Sequence, residues 1–384
     1  VRGFDDIVLT CPVTEPYLRK SEHSATWWLG RAFARLLEAS GLTKAEVDGF
    51  CLSSFTLAPD GPAPFMQSVG ASPRHLDGIP TGGACGTMAV RRAARAVQCG
   101  DAEIVACIAG DTATEGSFHD LLAGFSVWSR DAVWPYGAGG PNMSFAMLTD
   151  AYMRANGASR EDFGRLAVSQ RQNAGGNTGA LLRKPITMED YLAARPVCPP
   201  VHLLDCVMPC AGADGFLVMN RDRAEYLGLP YVRLLAAIER HNAFPDDPVQ
   251  HRGGWAMDRD ALWTQAGVGP SDMDMVQTYD DYPVISMLQF EGLGFCVQGD
   301  GARFVRERDL TFAGDLPHNT GGGQLSGGQA GAAGGYLGMV EAMRQLLGMA
   351  GGRQVARARH AVVSGFGMIN YDRGLCTAAA VLAV

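Results

Sequence analysis

From Ser24 to Ser40 the apolar positions Ala25, Trp28, Leu29, Ala32, Phe33, Leu36 and Leu37 recur at intervals of three and four. That spacing lines apolar side chains along one face and predicts an amphipathic helix. Thr43-Lys44-Ala45-Glu46 follows and reads as a capping box ahead of a short helix. Gly49 to Phe55 predicts a buried strand, and Asp6 to Thr10 another. Residues 86–99 predict a helix with Ala and Val on one face and Arg91, Arg92 and Arg95 largely on the other. Glu103 to Gly110 is continuously apolar, as in strands buried on both faces of a parallel sheet. Strand, helix and strand in that order make a βαβ unit.

The pattern changes from residue 112 to about 210. Turn-rich stretches such as W-P-Y-G-A-G-G-P alternate with helical ones, Met143 to Asn156 and Arg160 to Gln172. This segment reads as an inserted loop domain. The strand A-D-G-F-L-V-M closes the first half, and alternation restarts near Tyr231. The second half predicts a strand over Met275–Thr278, a helix from about Val284 to Leu293, and a helix from about Ser326 to Leu347. Two strands, Ala361–Gly365 and Thr377–Val384, complete it. Each half carries a small-residue-rich helix entered through a glycine turn. The pattern therefore predicts a duplicated α/β unit with halves 1–225 and 226–384.

Composition removes several function classes. Lys and Arg are outnumbered by Asp and Glu to a net charge of −8, which argues against nucleic acid as main partner. No apolar run reaches a membrane span, and the opening V-R-G-F-D-D-I-V-L-T lacks a signal-peptide layout. The ten cysteines then read as free thiols in a reducing compartment, with the cytoplasm as the expected location. Cys206 and Cys210 form the sole close pair. Their C-x3-C spacing has no second pair or His partner nearby, so buried thiols are expected rather than a metal site.

These landmarks together resemble the thiolase superfamily, in the branch related to the thiolase of sterol carrier protein X. The segment K-P-I-T-M-E-D-Y-L-A-A-R-P-V-C-P-P-V-H-L-L-D-C-V-M-P-C-A-G-A-D-G and residues 319–335, N-T-G-G-G-Q-L-S-G-G-Q-A-G-A-A-G-G, carry the resemblance most strongly. It implies a thiolase-like five-layered αβαβα fold, a homodimer and a CoA-thioester substrate. No bound cofactor is expected beyond the coenzyme A of the substrate itself.

A thiolase of this branch uses a nucleophilic cysteine at a helix N-terminus, a histidine in a G-H-P-type loop, a second cysteine near the C-terminus, and a histidine in an H-D-C-F-type motif. Anchoring on A-V-R-R-A-A-R-A-V-Q-C-G-D-A puts the nucleophile position at Gly83. Cys85 lies two residues later, and bringing it into place would turn the helix face by about 200°. The H-D-C-F position reads Tyr279-Asp280-Asp281-Tyr282, and the G-H-P position reads Gly328-Gln329-Ala330. The C-terminal cysteine position reads Val363-Ser364, followed by Gly365, Gly367 and, past the G-F-G-M run, Tyr371. Asn319, Gly322 and the neighbouring His318 match the loop that shapes the family's site.

All four thiolase groups are thus altered. The superfamily's steroid side-chain-cleaving aldolases also lack the cysteines, use tyrosines, and work with an OB-fold protein that carries a zinc ribbon. The resemblance implies retro-aldol cleavage of a β-hydroxyacyl-CoA, with Tyr279 or Tyr371 as acid or base beside Asp280 or Asp281, and a similar partner protein. Gly83, Asn319, Gly322, Gly365, Gly367, His318 and Gln329 would shape or polarise the site. Two other readings stay open: an acetyl-CoA acetyltransferase using Cys85, and a non-catalytic acyl-CoA-binding subunit.

Overall fold

The computed structural model describes residues 3–115, 127–137, 140–370 and 373–384. Its principal strands are β1 (Ile7–Leu18), β2 (Gly49–Ser53), β3 (His75–Gly78), β4 (Ile104–Asp111), β5 (Ala211–Asn220), β6 (Tyr231–His241), β7 (Met275–Gln277), β8 (His360–Asn370) and β9 (Arg373–Ala383). The helices that matter for the site are α1 (Ala25–Ser40), α2 (Cys85–Cys99), α3 (Gly140–Asn156), α4 (Arg160–Gly175), α5 (Trp255–Ala266), α6 (Pro283–Leu293), α7 (Gly323–Gly327) and α8 (Gly334–Leu346).

Local chemistry sets several of these boundaries. The Ser24 side chain accepts from the Trp27 N–H and starts α1, and Gly41, at φ +70°, stops it. The Thr43–Glu46 capping box forms over a single 3₁₀ turn. Strand β1 runs well past the expected Thr10, and β8 and β9 also extend beyond their expected ends. Nothing in the sequence pattern predicts β3, α5, or the helices Pro62–Val69 and Gly301–Arg306.

The strands form one sheet in the order β3-β2-β4-β5-β1-β6-β9-β8-β7. From β1 outward, β5 and β4 add antiparallel and β2 and β3 add parallel. From β6 outward, β9 and β8 add antiparallel and β7 adds parallel, with a further parallel bridge from Val276 to His318. The same sequence of strand senses therefore occurs twice, and the β1–β6 pair joins the two runs.

Strand β4 shows how five layers arise. Ile104, Ala106 and Ile108 pack with Trp28, Phe33 and Leu36 of α1, whereas Val105, Cys107 and Ala109 face α2 and α8. A strand buried on both sides needs apolar residues at every position, which explains the unbroken run. Helices α2 and α8 form the middle layer. On the far side, Trp255 and Leu262 of α5 and Ile285 and Phe290 of α6 cover Val276, Val362 and Val381.

Candidate active site

The opening glycine turn meets strand β8 at unusually short range. A Cβ on Gly367 would lie 2.2 Å from the Thr81 carbonyl oxygen, and one on Gly365 would lie 2.7 Å from the Ala84 Cα. These two glycines let the 81–84 turn press onto the strand. Gly83 is tighter still. A Cβ there would sit 2.1 Å from Cε2 and Cζ of Tyr279 and 2.4 Å from the Phe366 carbonyl oxygen. The place expected for a nucleophile is filled by a tyrosine ring.

Cys85 is the first residue of α2 and is fully buried. Its thiol donates to the Ala332 carbonyl at 3.2 Å, and burial pushes its pKa up to about 12. A neutral thiol packed against a carbonyl is a poor nucleophile. Cys206 is half-buried and Cys210 buried, both as free thiols.

Tyr279 to Tyr282 join β7 to α6. The backbone of Tyr279 is fixed from two sides. Its N–H donates to the Ser364 carbonyl at 3.1 Å and to Gln289 Oε1 at 3.0 Å, and Gln289 Nε2 donates back to the Tyr279 carbonyl at 2.7 Å. Its hydroxyl accepts from Gln329 Nε2 at 3.1 Å, and the same amide donates to Asp281 Oδ1. Burial, then the Asp281 charge, push the Tyr279 phenol well above its ordinary range. Burial, then the neighbouring Asp280, push Asp281 up to about 7, while bonds from Gln329 and Tyr279 pull it back. Near neutrality the site thus pairs a protonated phenol with a carboxyl poised between its two forms.

Asp280 and Asp281, interchangeable in the sequence, separate here. Asp280 accepts from the N–H groups of Gln324, at 2.9 and 3.0 Å, and Leu325, at 3.2 Å, so it caps α7. Burial raises it to about 6 and those amides oppose the rise. Tyr282 turns away from Tyr279: its hydroxyl bonds Asn142 and its ring stacks on Phe145 at 4.0 Å.

Gln329 arrives by a break in the chain. The expected helix over 326–347 is divided into α7, a 3₁₀ turn at Gly331–Ala333 and α8. Gly328, at φ +107°, and Gly331, at φ +54°, interrupt it. The backbone of Gln329 then pairs with the 208–210 segment, its N–H donating to Met208 and its carbonyl accepting from Cys210. The V-M-P-C stretch, one of those that carry the family resemblance, thereby holds Gln329 toward Tyr279.

Three expected site residues lie elsewhere. His318 is buried with Nε2 2.7 Å from the Thr278 hydroxyl, and burial drives its pKa down to about 3, so it is a neutral part of the core. Gly322 packs on α4, where a Cβ would lie 2.6 Å from that of Ala174. Asn319, at φ +42°, accepts from the Thr278 N–H at 2.9 Å and lines a separate small pocket that also touches Tyr279 and Asp280. Tyr371 lies outside the described residues.

Gly83, Gly367, Tyr279, Asp281 and Gln329 converge on a different cavity. Its remaining walls are largely apolar, with Phe55, Phe145, Met368 and Ile369 among them. Phe55 and Phe145 carried no signal in the sequence, because periodicity reports that a residue is apolar and not which distant wall it joins. The cavity offers one polar corner, with a phenol beside a carboxyl, and an otherwise apolar lining, the usual build of a small-molecule site.

Comparison with known proteins gives the chain its relatives. The thiolase C-terminal domain-like family matches residues 256–376. A steroid side-chain-cleaving aldolase from Thermomonospora curvata is 32% identical over 80% of this chain and 82% of its own length. A 17-hydroxy-3-oxo-4-pregnene-20-carboxyl-CoA lyase from Mycobacterium tuberculosis is 30% identical over 85% of this chain and 88% of its own. Among solved structures, the Ltp2-ChsH2(DUF35) aldolase superposes with a TM-score of 0.83 at 25% identity, covering 99% of this chain and 98% of that one. The repeated strand pattern, the five layers and these relatives together place the chain in the thiolase superfamily, in the branch that includes the thiolase-like steroid side-chain-cleaving aldolases.

Proposed function

We propose that this chain is a carbon–carbon lyase that cleaves a β-hydroxyacyl-CoA by a retro-aldol step, with Asp281 as base and Tyr279 as acid. Ionised Asp281 takes the β-hydroxyl proton. The bond between Cα and Cβ breaks, the Cβ oxygen becomes a carbonyl, and the electron pair passes to Cα and the thioester as an enolate. Tyr279 gives its phenolic proton to Cα, and the proton on Asp281 then restores the phenol. Gln329, bonded to both groups, orients them. The observation that carries this reading is the Tyr279 ring standing where a nucleophile at position 83 would need to be. Without an acyl-enzyme, an acid–base pair is what the cavity supplies.

The apolar walls fit a bulky hydrocarbon acyl group, in keeping with the steroid substrates named for the relatives. The superposed structure is an Ltp2-ChsH2(DUF35) aldolase, which supports a corresponding partner for this chain, of the OB-fold, zinc-ribbon kind that the family resemblance implies. Strand β3 ends the sheet with Leu76 exposed, an edge suited to a second copy in a homodimer. Ten free thiols fit a reducing cytoplasm, and among the described residues no helix is long and apolar enough to cross a membrane.

The test is turnover of β-hydroxyacyl-CoA thioesters, with and without the partner, by wild type and Tyr279→Phe. Loss of the phenol is expected to cut kcat by about a hundredfold or more, the lower end of a general acid's contribution. Unchanged kinetics would remove Tyr279 from the chemistry. Tight CoA-thioester binding with no cleavage of any such substrate would instead favour a binding subunit.

A further inference from the structure

Asp111 ends strand β4 and is buried. Its Oδ1 accepts from the hydroxyls of Ser54 at 2.7 Å and Thr56 at 2.6 Å, and from the N–H groups of Phe55 at 2.9 Å and Thr56 at 2.6 Å. Its Oδ2 accepts from the Ala332 N–H at 2.7 Å. One carboxylate therefore ties the loop after β2 to the turn that follows Gln329. These segments belong to the two different strand runs, and both reach the cavity, through Phe55 and Gly331.

Gly331 makes the contact possible. It sits at φ +54°, and a Cβ there would lie 2.1 Å from Asp111 Oδ2. Any other residue would push the carboxylate off Ala332. Both carboxylate oxygens accept, which an amide cannot reproduce, since its NH₂ would face a donor on one side or the other. Among the described residues no Lys or Arg pairs with Asp111, so five donors alone stabilise the buried charge.

We infer that Asp111 is the positioning residue of the active site, holding the 329–332 turn so that the Gln329 amide reaches both Tyr279 and Asp281. It touches no substrate and acts through Gln329. The inference rests on the proposed roles of Tyr279, Asp281 and Gln329.

The experiment measures kcat, KM and melting temperature for Asp111→Asn, Gly331→Ala and Thr56→Val, with Asp111→Asn also made in a Gln329→Ala background. Asp111→Asn and Gly331→Ala are expected to lower kcat roughly tenfold or more, the factor that a lost hydrogen bond to a charged group corresponds to. Their KM is expected to stay within about twofold, because the apolar walls remain. Thr56→Val leaves the Ala332 bond in place and is expected to keep kcat within about threefold. In the Gln329→Ala background, Asp111→Asn is expected to cost less than about twofold further, since its effect passes through the missing amide. Full additivity in that background overturns the inference, as does wild-type kcat in Asp111→Asn or Gly331→Ala. A loss in Thr56→Val as large as in Asp111→Asn also overturns it, by locating the effect in the 54–56 loop. Should Asp111→Asn fail to fold, Gly331→Ala in both backgrounds replaces it, since that variant keeps the carboxylate and blocks its reach. A fully active Gln329→Ala enzyme would instead sink the proposed acid–base arrangement itself. The two failures are therefore distinguishable.

Discussion

The ring of Tyr279 and the backbone of Gly83 share one space: a Cβ on Gly83 would overlap two ring carbons at 2.1 Å. A thiolase-type nucleophile and this tyrosine exclude one another. The Gln329 amide bonds both the phenol and the Asp281 carboxyl beside the glycine turn.

Restoring the thiol at position 83 is therefore expected to fail. Gly83→Cys should lower stability by about 1–3 kcal/mol, the usual penalty for overpacking, and abolish turnover by displacing Tyr279. Intact-protein mass spectrometry after incubation with acetyl-CoA should show no acyl adduct. A well-folded variant that accumulates an acyl-cysteine would contradict the exclusion.

The pH dependence follows from Asp281. As the base it must be ionised, so kcat/KM is expected to rise with pH through about 7, where burial has lifted its pKa. Asp281→Asn should remove both the activity and that limb of the profile. The stability sign is opposite. A carboxyl whose folded pKa is raised binds its proton more tightly in the folded state, so its contribution is full below the unfolded pKa, about 4. That contribution is lost as pH climbs through the folded value near 7. Melting curves at pH 8 should therefore rank Asp281→Asn above wild type, with the gap closing toward pH 4. A gap that widens toward acid would reverse the assignment.

Cys85 supplies the contrasting control. It lies outside the cavity with its thiol held protonated against Ala332. Cys85→Ala should keep kcat/KM within about threefold and cost about 1 kcal/mol, in the range for trimming a small buried side chain. Iodoacetamide at neutral pH should leave the wild-type residue unalkylated, read by peptide mapping. Rapid labelling with loss of activity, absent in the alanine variant, would revive the acyltransferase reading.

Much of the fold was legible because its signals are local. Ser24 and the Thr43–Glu46 pair mark helix starts by their own hydrogen bonds, and the apolar run in β4 reports burial on both faces. The site was legible only in part. Counting along α2 located Gly83, and the motif positions named Tyr279, Asp281 and Gln329. Asp280 and Asp281 could not be told apart, because the amides that claim Asp280 lie some 44 residues further along the chain. Phe145 likewise joins the cavity wall beside Tyr282 from a segment far away in the chain. Such partners are set by tertiary contact, which single-chain periodicity does not encode.

The break before Gln329 was missed for a different reason. S-G-G-Q-A-G-A-A-G-G has the small residues of a tightly packed helix, yet Gly328, at φ +107°, turns the chain there. A Cβ at that position would also lie 2.9 Å from Leu181 Cδ1 and 3.0 Å from Cys210 Sγ. Gly328→Ala should thus cost about 1–3 kcal/mol in backbone strain and shift Gln329 off its 3.1 Å contact with Tyr279. A displacement near 1 Å is worth up to about a hundredfold in rate, so kcat should fall at least about tenfold even well below the melting midpoint. Gly41→Ala is the contrasting comparison: it also strains a positive-φ backbone, in the milder left-handed region at φ +70° and ψ +8°, with nothing within 4 Å of the new methyl group. It should lose stability and keep kcat. Equal losses of kcat in the two variants would mean that strain in general, and not the placement of Gln329, controls turnover.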